Sequence, residues 1–142
     1  MVDTESVVRE FYMALSRGEA GAALALLDPE VRWTEAERTP YYAGELTGPD
    51  AVAKTVLEPI ARHFEGFAAT PDDFITQNER TVALGLYTGH FRVGGELRAP
   101  FVHVWTVRTG RIVRFVQYTE SSDWADAILG KSSTSSSRPA FF

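Results

Sequence analysis

The sequence contains no cysteine. This absence excludes disulfide bonds, thiolate nucleophiles and zinc sites with thiolate ligands, although it does not by itself fix the compartment. The three histidines, His63, His90 and His103, show no metal-ligand spacing. We therefore predict no metal site, and we interpret His63 and His90 as surface or dimer residues.

Long apolar runs are also absent. No stretch reaches the about 18 residues that indicate a membrane-spanning helix. The N-terminal residues, MVDTESVVRE, are acidic and polar, unlike the basic and then apolar start of a signal peptide. We therefore expect a cytoplasmic protein with no membrane partner.

Positive charge is scarce, since the sequence has 14 Lys and Arg residues but 19 Asp and Glu residues, and the net charge is -5. Binding of a phosphate backbone needs clustered Lys and Arg, so we expect no nucleic-acid partner. The hydrophobic fraction of 44% and the charged fraction of 23% are typical of a soluble globular protein.

The length of 142 residues suits one domain. We predict a single domain over residues 1–130 and a serine-rich tail, KSSTSSSRPAFF, over residues 131–142. The tail has too little apolar surface to offset its ordering entropy, which favours a flexible end. Alternatively, Phe141 and Phe142 dock on a neighbour or fill a pocket.

Three helices are predicted in the N-terminal half. The first begins with a cap at Asp3 or Thr4, and helical spacing gives it one apolar face, formed by Val8, Phe11, Tyr12 and Leu15. The second spans residues 19–27. The third starts at Pro49, and Pro59 kinks or interrupts it because proline lacks a backbone N–H.

In the remaining chain, apolar and polar residues alternate as they do in β-strands. The predicted strands are residues 31–35, 67–77 with a break near Pro71, 81–93, 96–108 and 111–120. Tight turns at Gly94-Gly95 and Thr109-Gly110 join the last three strands into an antiparallel meander. Helices followed by such a meander indicate an α+β fold with the helices on one face of the sheet.

Three motifs occur in an informative order. They are a V-x-W strand at residues 31–33, the helix start GPDAV at residues 48–52, and FVHVWTVRTGRIVRFVQYTE at residues 101–120. With these motifs, residues 6–124 resemble the SnoaL-like branch of the nuclear transport factor 2-like (NTF2-like) superfamily, which includes ketosteroid isomerase-like proteins. The resemblance implies an α+β cone, in which a curved antiparallel sheet wraps three N-terminal helices around an internal apolar pocket.

The same resemblance implies a homodimer formed through the outer face of the sheet. Members of the superfamily include steroid isomerases, SnoaL-type polyketide cyclases, epoxide hydrolases and non-catalytic ligand-binding proteins. The fold alone therefore does not assign a reaction.

Candidate catalytic residues follow from this resemblance position by position. His103 stands where the cyclases have an acid/base aspartate, seven residues before the hairpin glycine, and Tyr12 matches the isomerases' oxyanion tyrosine. The isomerases' base falls at Trp33, which cannot transfer protons, although Glu35 lies two residues on and on the same strand face. The epoxide hydrolases would need arginine at Phe101.

Strand alternation selects the side chains that face the pocket. Phe101, His103 and Trp105 share one face, and Phe115 and Gln117 share the corresponding face of the last strand. An imidazole can donate or accept protons near neutral pH. Alternatively, His103 is a core histidine bonded to a backbone carbonyl, and Gln117 belongs to a structural network.

Glu35 and two tyrosines complete the candidate site. Glu35 can orient or charge His103, or it is a solvated residue at a strand end. Tyr41 and Tyr42 are expected to line or cover the pocket mouth, although one can instead pack on the third helix. With Trp33, Phe101, Trp105, Phe115 and Gln117, they form the predicted substrate-binding set.

The leading hypothesis is a SnoaL-like small-molecule pocket protein that binds a small apolar or aromatic ligand. As an enzyme, it would be a cofactor-independent isomerase, cyclase or dehydratase-type lyase acting on an apolar cyclic or polyketide-like substrate, with His103, Glu35 and Tyr12 catalytic. Whether it is an enzyme stays open. The alternatives are a non-catalytic ligand-binding protein and a dimer with a filled core.

Overall fold

The computed structural model describes residues 3–131. The predicted serine-rich tail, including Phe141 and Phe142, lies outside the described residues apart from Lys131. The helical elements are α1 (Thr4–Ser16), α2 (Ala20–Leu24), α3 (Pro49–Val52), a π-helical turn (Ala53–Leu57), α4 (Glu58–His63) and α5 (Ser121–Ile128). The strands are β1 (Leu27–Thr34), β2 (Glu45–Thr47), β3 (Phe64–Gln77), β4 (Arg80–Phe91), β5 (Glu96–Arg108) and β6 (Arg111–Thr119).

In the described part of the chain, the strands form one curved sheet in the order β2-β1-β6-β5-β4-β3. The α+β class and the curved sheet are confirmed, and the sheet is antiparallel as predicted except at one pair of strands. β1 runs parallel to β6, with Trp33 opposite Phe115. Parallel neighbours need a long crossover connection, and residues 35–110 supply it. The sheet is therefore mixed.

Helix α1 begins as predicted. Asp3 is its N-cap, and its Oδ1 accepts a hydrogen bond of 2.9 Å from the backbone N–H of Ser6. The helix ends before Gly18, whose φ of 74° lies in the left-handed region that favours glycine. Its buried face includes Phe11 and Tyr12, so the helix presents a phenol to the inside of the cone.

The helix around Pro59 is continuous. A proline leaves one carbonyl of the preceding turn without its N–H partner and crowds that turn. Here the preceding turn, Ala53–Leu57, is widened into a π-helical turn, and α4 continues to His63. The expected disturbance at Pro59 is thus a local widening, and the widened turn lies against the core through Val56.

The second helix is shorter than predicted. It ends at Leu24, and β1 already begins at Leu27, so that Asp28 and Pro29 lie in the strand. Pairing with β6 explains the difference, because Leu27 is aligned with Ile112 before the register shifts ahead of Arg32. Tertiary pairing here overrides the local preference for a longer helix.

Strand β3 is irregular near Pro71, as predicted, since its pairing with β4 shifts between Pro71 and Asp73. Gly85 of β4 faces this irregularity. A Cβ atom at Gly85 would overlap the carbonyl oxygen of Thr70 and the ring of Phe101. The glycine therefore lets the strands and the aromatic core approach closely.

The β5–β6 hairpin closes through Thr109 and Gly110, with φ values of 53° and 75°. Two successive positive φ angles define the type I′ turn that suits a two-residue hairpin. A register shift next to Val107 buries Ile112 instead of Val113, although strict alternation back from Phe115 and Gln117 places Val113 on the inward face. Beyond the shift, alternation holds.

Helices α1 and α5 pack on the same side of the sheet. Between them and the sheet lies a core rich in aromatic rings, including Trp105, Trp124 and Phe115. No helix among residues 3–131 is long and apolar enough to cross a membrane.

Candidate active site

A cavity lies between the helices and the inner face of the sheet. Its volume is about 50 Å³, which is room for one or two water molecules. Most of its wall is apolar, and the polar groups in the wall are Tyr12, Glu35, Tyr87, His103 and Gln117. The filled-core interpretation predicted no space beside His103, so the structure contradicts it.

His103 of β5 is bonded on both sides. Its Nδ1 lies 2.6 Å from the hydroxyl of Tyr12, and its Nε2 lies 2.5 Å from the hydroxyl of Tyr87. The imidazole also stacks on the ring of Phe101, with centroids 3.9 Å apart. The alternative of a histidine bonded to a backbone carbonyl is therefore wrong.

Burial lowers the pKa of His103 well below its ordinary value of 6.5. Because tyrosine hydroxyls occupy both ring nitrogens, neither nitrogen is free for a carboxylate. The predicted pairing of Glu35 with His103 is wrong for this reason. The low pKa makes the imidazole of His103 a weak base, so the ring stays neutral and is a poor proton acceptor at neutral pH.

The two tyrosine hydroxyls each receive one further hydrogen bond. Trp105 Nε1 donates to the oxygen of Tyr12 over 2.9 Å, and Gln117 Nε2 donates to the oxygen of Tyr87 over 2.6 Å. Desolvation raises the pKa of both phenols, that of Tyr87 well above its ordinary value of 10. Both hydroxyls therefore keep their protons.

Glu35 follows the end of β1 and is 5% exposed. Its Oε2 accepts a hydrogen bond of 2.8 Å from Trp33 Nε1. Burial raises the pKa of Glu35 to about 7, although hydrogen bonds from Trp33 and Gln117 act in the opposite direction. The alternative of a solvated glutamate is wrong, and the carboxyl group can change protonation near neutral pH.

Gln117 links the two polar ends of the cavity. The backbone N–H of Ala36 donates to its Oε1 over 2.9 Å, which orients the amide nitrogen toward the cavity. That nitrogen bonds Tyr87 and supports the carboxylate of Glu35. A continuous polar chain therefore runs from Glu35 through Gln117, Tyr87 and His103 to Tyr12.

A sequence model of the SnoaL-like domain matches residues 8–115, which is most of the chain. The chain belongs to the SnoaL-like domain family. The resemblance drawn from the three sequence motifs is thus confirmed. No curated protein is significantly similar to it in sequence.

Solved structures share the fold of this SnoaL-like domain. An NTF2-like protein of unknown function from Burkholderia pseudomallei is 32% identical, with a TM-score of 0.82 over 90% of this chain and 98% of that chain. An NTF2-like protein from Burkholderia thailandensis is 26% identical, with a TM-score of 0.86 over 90% and 98%. TerC, co-crystallised with polyporic acid, is 21% identical, with a TM-score of 0.79 over 88% and 97%.

The SnoaL-like domain brings most of the predicted pocket residues together. Trp33, Trp105, Phe115 and Gln117 line the cavity along with the three predicted catalytic residues. Phe101 does not line it, because its buried ring lies behind the imidazole of His103.

Neither predicted mouth tyrosine lines the cavity. Tyr41 is buried elsewhere, and its hydroxyl lies 2.9 Å from Nδ1 of His63. Tyr42 is 42% exposed. Neither residue therefore lines the cavity, and Tyr41 instead packs on His63 of α4, which agrees with the alternative that one tyrosine packs on the third predicted helix. His63 contributes a partner for Tyr41, away from the cavity.

Sequence reasoning missed Tyr87, the second hydrogen-bond partner of His103. Its strand is rich in threonine and glycine, which drew attention away from it. Alternation nevertheless carried a signal, since Thr81, Ala83, Gly85 and Tyr87 share the buried face of β4. Trp124 and Phe67, which also line the cavity, were missed for lack of any motif.

Among residues 3–131, no cluster of three or more His, Asp or Glu side chains could hold a metal ion. The polar groups that line the described cavity supply hydrogen bonding by hydroxyl, amide and imidazole groups, and proton exchange at Glu35.

Proposed function

We propose that this SnoaL-like domain binds a small apolar cyclic ligand and catalyses a proton transfer on it, in the manner of an isomerase, cyclase or dehydratase. One observation carries the proposal. Glu35, with its pKa raised to about 7, borders the same cavity as the hydroxyls of Tyr12 and Tyr87. A proton acceptor and neutral hydrogen-bond donors thus face one small space.

In this proposal Glu35 is the acid/base. Its carboxylate takes a proton from a carbon next to a carbonyl group, the C–H electron pair forms the new C=C bond, and the carbonyl oxygen gains the negative charge. A tyrosine hydroxyl stabilises that oxygen by a hydrogen bond. The carboxylic acid then returns the proton, at the same or another carbon, and the electrons balance without a cofactor.

His103 has a positioning role in the proposal. The His103 ring is unsuited to accept a proton from a ligand, because its pKa is low and tyrosine hydroxyls contact both of its nitrogens. The same contacts suit it to hold both hydroxyls at the cavity. The acid/base role that the resemblance suggested for His103 thus passes to Glu35.

The cavity volume limits the ligand. About 50 Å³ is less than the space a polycyclic molecule fills, since drug-sized ligands occupy pockets of about 300 Å³ or more. A single small ring is therefore the proposed core of the ligand, and even such a ring requires wall residues such as Leu15 or Ile60 to move, because the cavity has room for only one or two water molecules. Polyporic acid in the TerC crystals supports an oxygen-bearing aromatic ligand for this fold.

Hydrogen exchange tests the proposal without knowledge of the natural substrate. Cyclopentanone is incubated with the protein in D₂O, and NMR follows deuterium uptake at the carbons next to the carbonyl. We expect the protein to accelerate uptake, with a rate that rises as pH increases through about 7 because the carboxylate form of Glu35 is the base.

The variant Glu35→Gln should lose the acceleration, while Glu37→Gln, at an exposed position two residues on, should keep it. Equal rates for wild type and Glu35→Gln would contradict the proposal. Binding of the ketone without any exchange would favour the non-catalytic ligand-binding alternative.

The outer face of the sheet supports a second proposal, a homodimer. Val82, Val104 and Val116 are cross-strand neighbours on β4, β5 and β6, and all are half-buried on the face opposite the cavity. Tyr118 on the same face is 58% exposed. A contiguous apolar row of this kind suits a protein partner.

The next row carries charge. Arg80, Thr106 and Arg114 are aligned across three strands, and Arg32 of β1 is aligned with Arg114. These side chains line a groove on the outer face of the sheet, and Glu30 and Glu79 line the same groove. We propose a second copy of this chain as the partner, because its glutamates can meet these arginines while the two apolar rows pack together.

A further inference from the structure

Tyr12, His103 and Tyr87 form an array in which the imidazole lies between two hydroxyls. The contacts are 2.6 Å to Nδ1 and 2.5 Å to Nε2, and the array borders the cavity. Each contact needs one hydrogen atom, supplied either by the hydroxyl or by the ring nitrogen.

The outer partners of both hydroxyls act only as donors. An indole N–H has no acceptor function, so Trp105 donates to Tyr12. The amide of Gln117 is oriented by the N–H of Ala36, which must donate to an oxygen, so its nitrogen donates to Tyr87. Neither hydroxyl can give its proton to these partners.

Counting hydrogen atoms then leaves one over. A neutral array carries one hydrogen on each hydroxyl and one on the ring, which makes three, while its two contacts use two. If the ring hydrogen is on Nδ1, Tyr12 has the spare proton. If it is on Nε2, Tyr87 has it.

No other hydrogen bond of these two hydroxyls occurs within residues 3–131. The cavity wall around them is mostly apolar, so the spare proton needs an acceptor that enters the cavity. The neutral ring is consistent with its burial, since neither ring nitrogen contacts a carboxylate.

We propose that His103 is a tautomeric relay that makes Tyr12 and Tyr87 alternative donors to a single acceptor atom of the ligand. When the ligand accepts from one hydroxyl, that hydroxyl accepts from the ring, and the ring accepts from the other hydroxyl. The ligand class is therefore a molecule that presents one acceptor oxygen to the array. The relay rests on the proposed function, because it acts in the same cavity, but it concerns binding alone.

Two probes of the same shape test the relay. Cyclopentanone presents an acceptor oxygen, and methylenecyclopentane replaces that oxygen with a CH₂ group. ¹⁵N NMR of the His103 ring reports which nitrogen carries the hydrogen. In wild type we expect the ketone to bind about fivefold more tightly than the alkene, the worth of one hydrogen bond, and to change the tautomer ratio.

Single variants sharpen the test. In Tyr87→Phe the ketone can accept only from Tyr12, so the bound state should carry the hydrogen on Nδ1. In Tyr12→Phe it should carry the hydrogen on Nε2. Tyr41→Phe is the matched control, since this buried hydroxyl also contacts a histidine but lies outside the cavity, and it should behave as wild type.

The same tautomer in both variants, equal affinities for the two probes, or a ring with hydrogens on both nitrogens at pH 7 would overturn the relay. If wild type shows no accelerated deuterium uptake while the tautomer response is intact, Glu35 is rejected as the base and the relay still stands.

A crystal structure of the wild-type protein at atomic resolution gives a check that needs neither probe nor variant. We expect a cavity water within about 3.2 Å of one of the two hydroxyls and accepting its hydrogen bond. Waters that accept from both hydroxyls at once, or no acceptor near either, would overturn the relay.

Discussion

Trp33 Nε1 donates a hydrogen bond of 2.8 Å to Oε2 of Glu35, two residues further along the chain. The contact anchors a carboxyl group inside an aromatic core, where water does not solvate it. Burial nevertheless outweighs the hydrogen bond and raises the pKa of Glu35 to about 7. This balance makes Glu35 sensitive to pH near neutrality.

The first prediction concerns stability and pH. The pKa of Glu35 rises from 4.5 to about 7 on folding. Between these values the folded state holds a proton that the unfolded state releases, so this group costs stability as pH rises toward 7. Glutamine at this position carries no such cost. The free energy of unfolding of Glu35→Gln, measured relative to wild type, should therefore be about 3 kcal/mol higher at pH 8 than at pH 4.5.

Urea unfolding at the two pH values measures this difference. Glu37→Gln, at an exposed position, should show no such change with pH. If the difference in the free energy of unfolding between Glu35→Gln and wild type is the same at both pH values, burial does not raise the pKa of Glu35.

The second prediction concerns His103. Because burial lowers its pKa well below 6.5, its ring should stay neutral from pH 8 to pH 6. The unfolded chain takes up a proton below pH 6.5 and the folded ring does not, so this group lowers stability as pH falls through that range. ¹⁵N NMR of the ring, with free imidazole in the sample as a pH reference, should show one unprotonated nitrogen throughout. A ring that titrates near 6.5 would refute the prediction.

The third prediction concerns Gly85. A Cβ atom there meets the carbonyl oxygen of Thr70 and the ring of Phe101. Gly85→Ala should therefore lower the free energy of unfolding by about 1–3 kcal/mol, the usual cost of overpacking.

The matched control is Gly21→Ala in α2, where a Cβ atom meets nothing within 4 Å. It should raise stability by about 0.5–1 kcal/mol, because alanine favours a helix. Denaturant titration of both variants decides the matter, and equal effects would contradict the packing argument.

The fourth prediction concerns the proposed dimer. Val104 lies at the centre of the outer apolar row, between Val82 and Val116. Val104→Asp should shift the protein from dimer to monomer in analytical ultracentrifugation, because a carboxylate would be buried against the second copy. Val93→Asp, at a position that is 86% exposed, is the control. A monomeric wild type would reject the dimer directly.

The sequence was sufficient for most of the elements and most of the inward faces, but it did not reveal β2 or the early end of α2. Alternation correctly placed His103, Trp105 and Gln117 inside, and helical spacing did the same for Tyr12. It failed at Val113, where a shift in strand register changes which side chain faces inward. Bulges depend on pairing partners, so the local pattern does not reveal them.

The sequence did not reveal the contacts within the site. Tyr12 and Tyr87 lie 91 and 16 positions from His103, and strand pairing together with helix docking brings them to its two nitrogens. The role first given to His103 followed from its residue type and position. Its contacts and burial are the reason that we propose Glu35 instead as the proton acceptor.

The sequence by itself determined the family, the α+β class and most of the side chains that turn inward, because these follow from local periodicity and motifs. Only the tertiary structure decided that β1 lies parallel to β6, that tyrosines occupy both nitrogens of His103, and that the pKa of Glu35 is raised while that of His103 is lowered. The physical reason is that hydrogen-bond partners and desolvation arise from packing between distant segments, which local sequence does not encode.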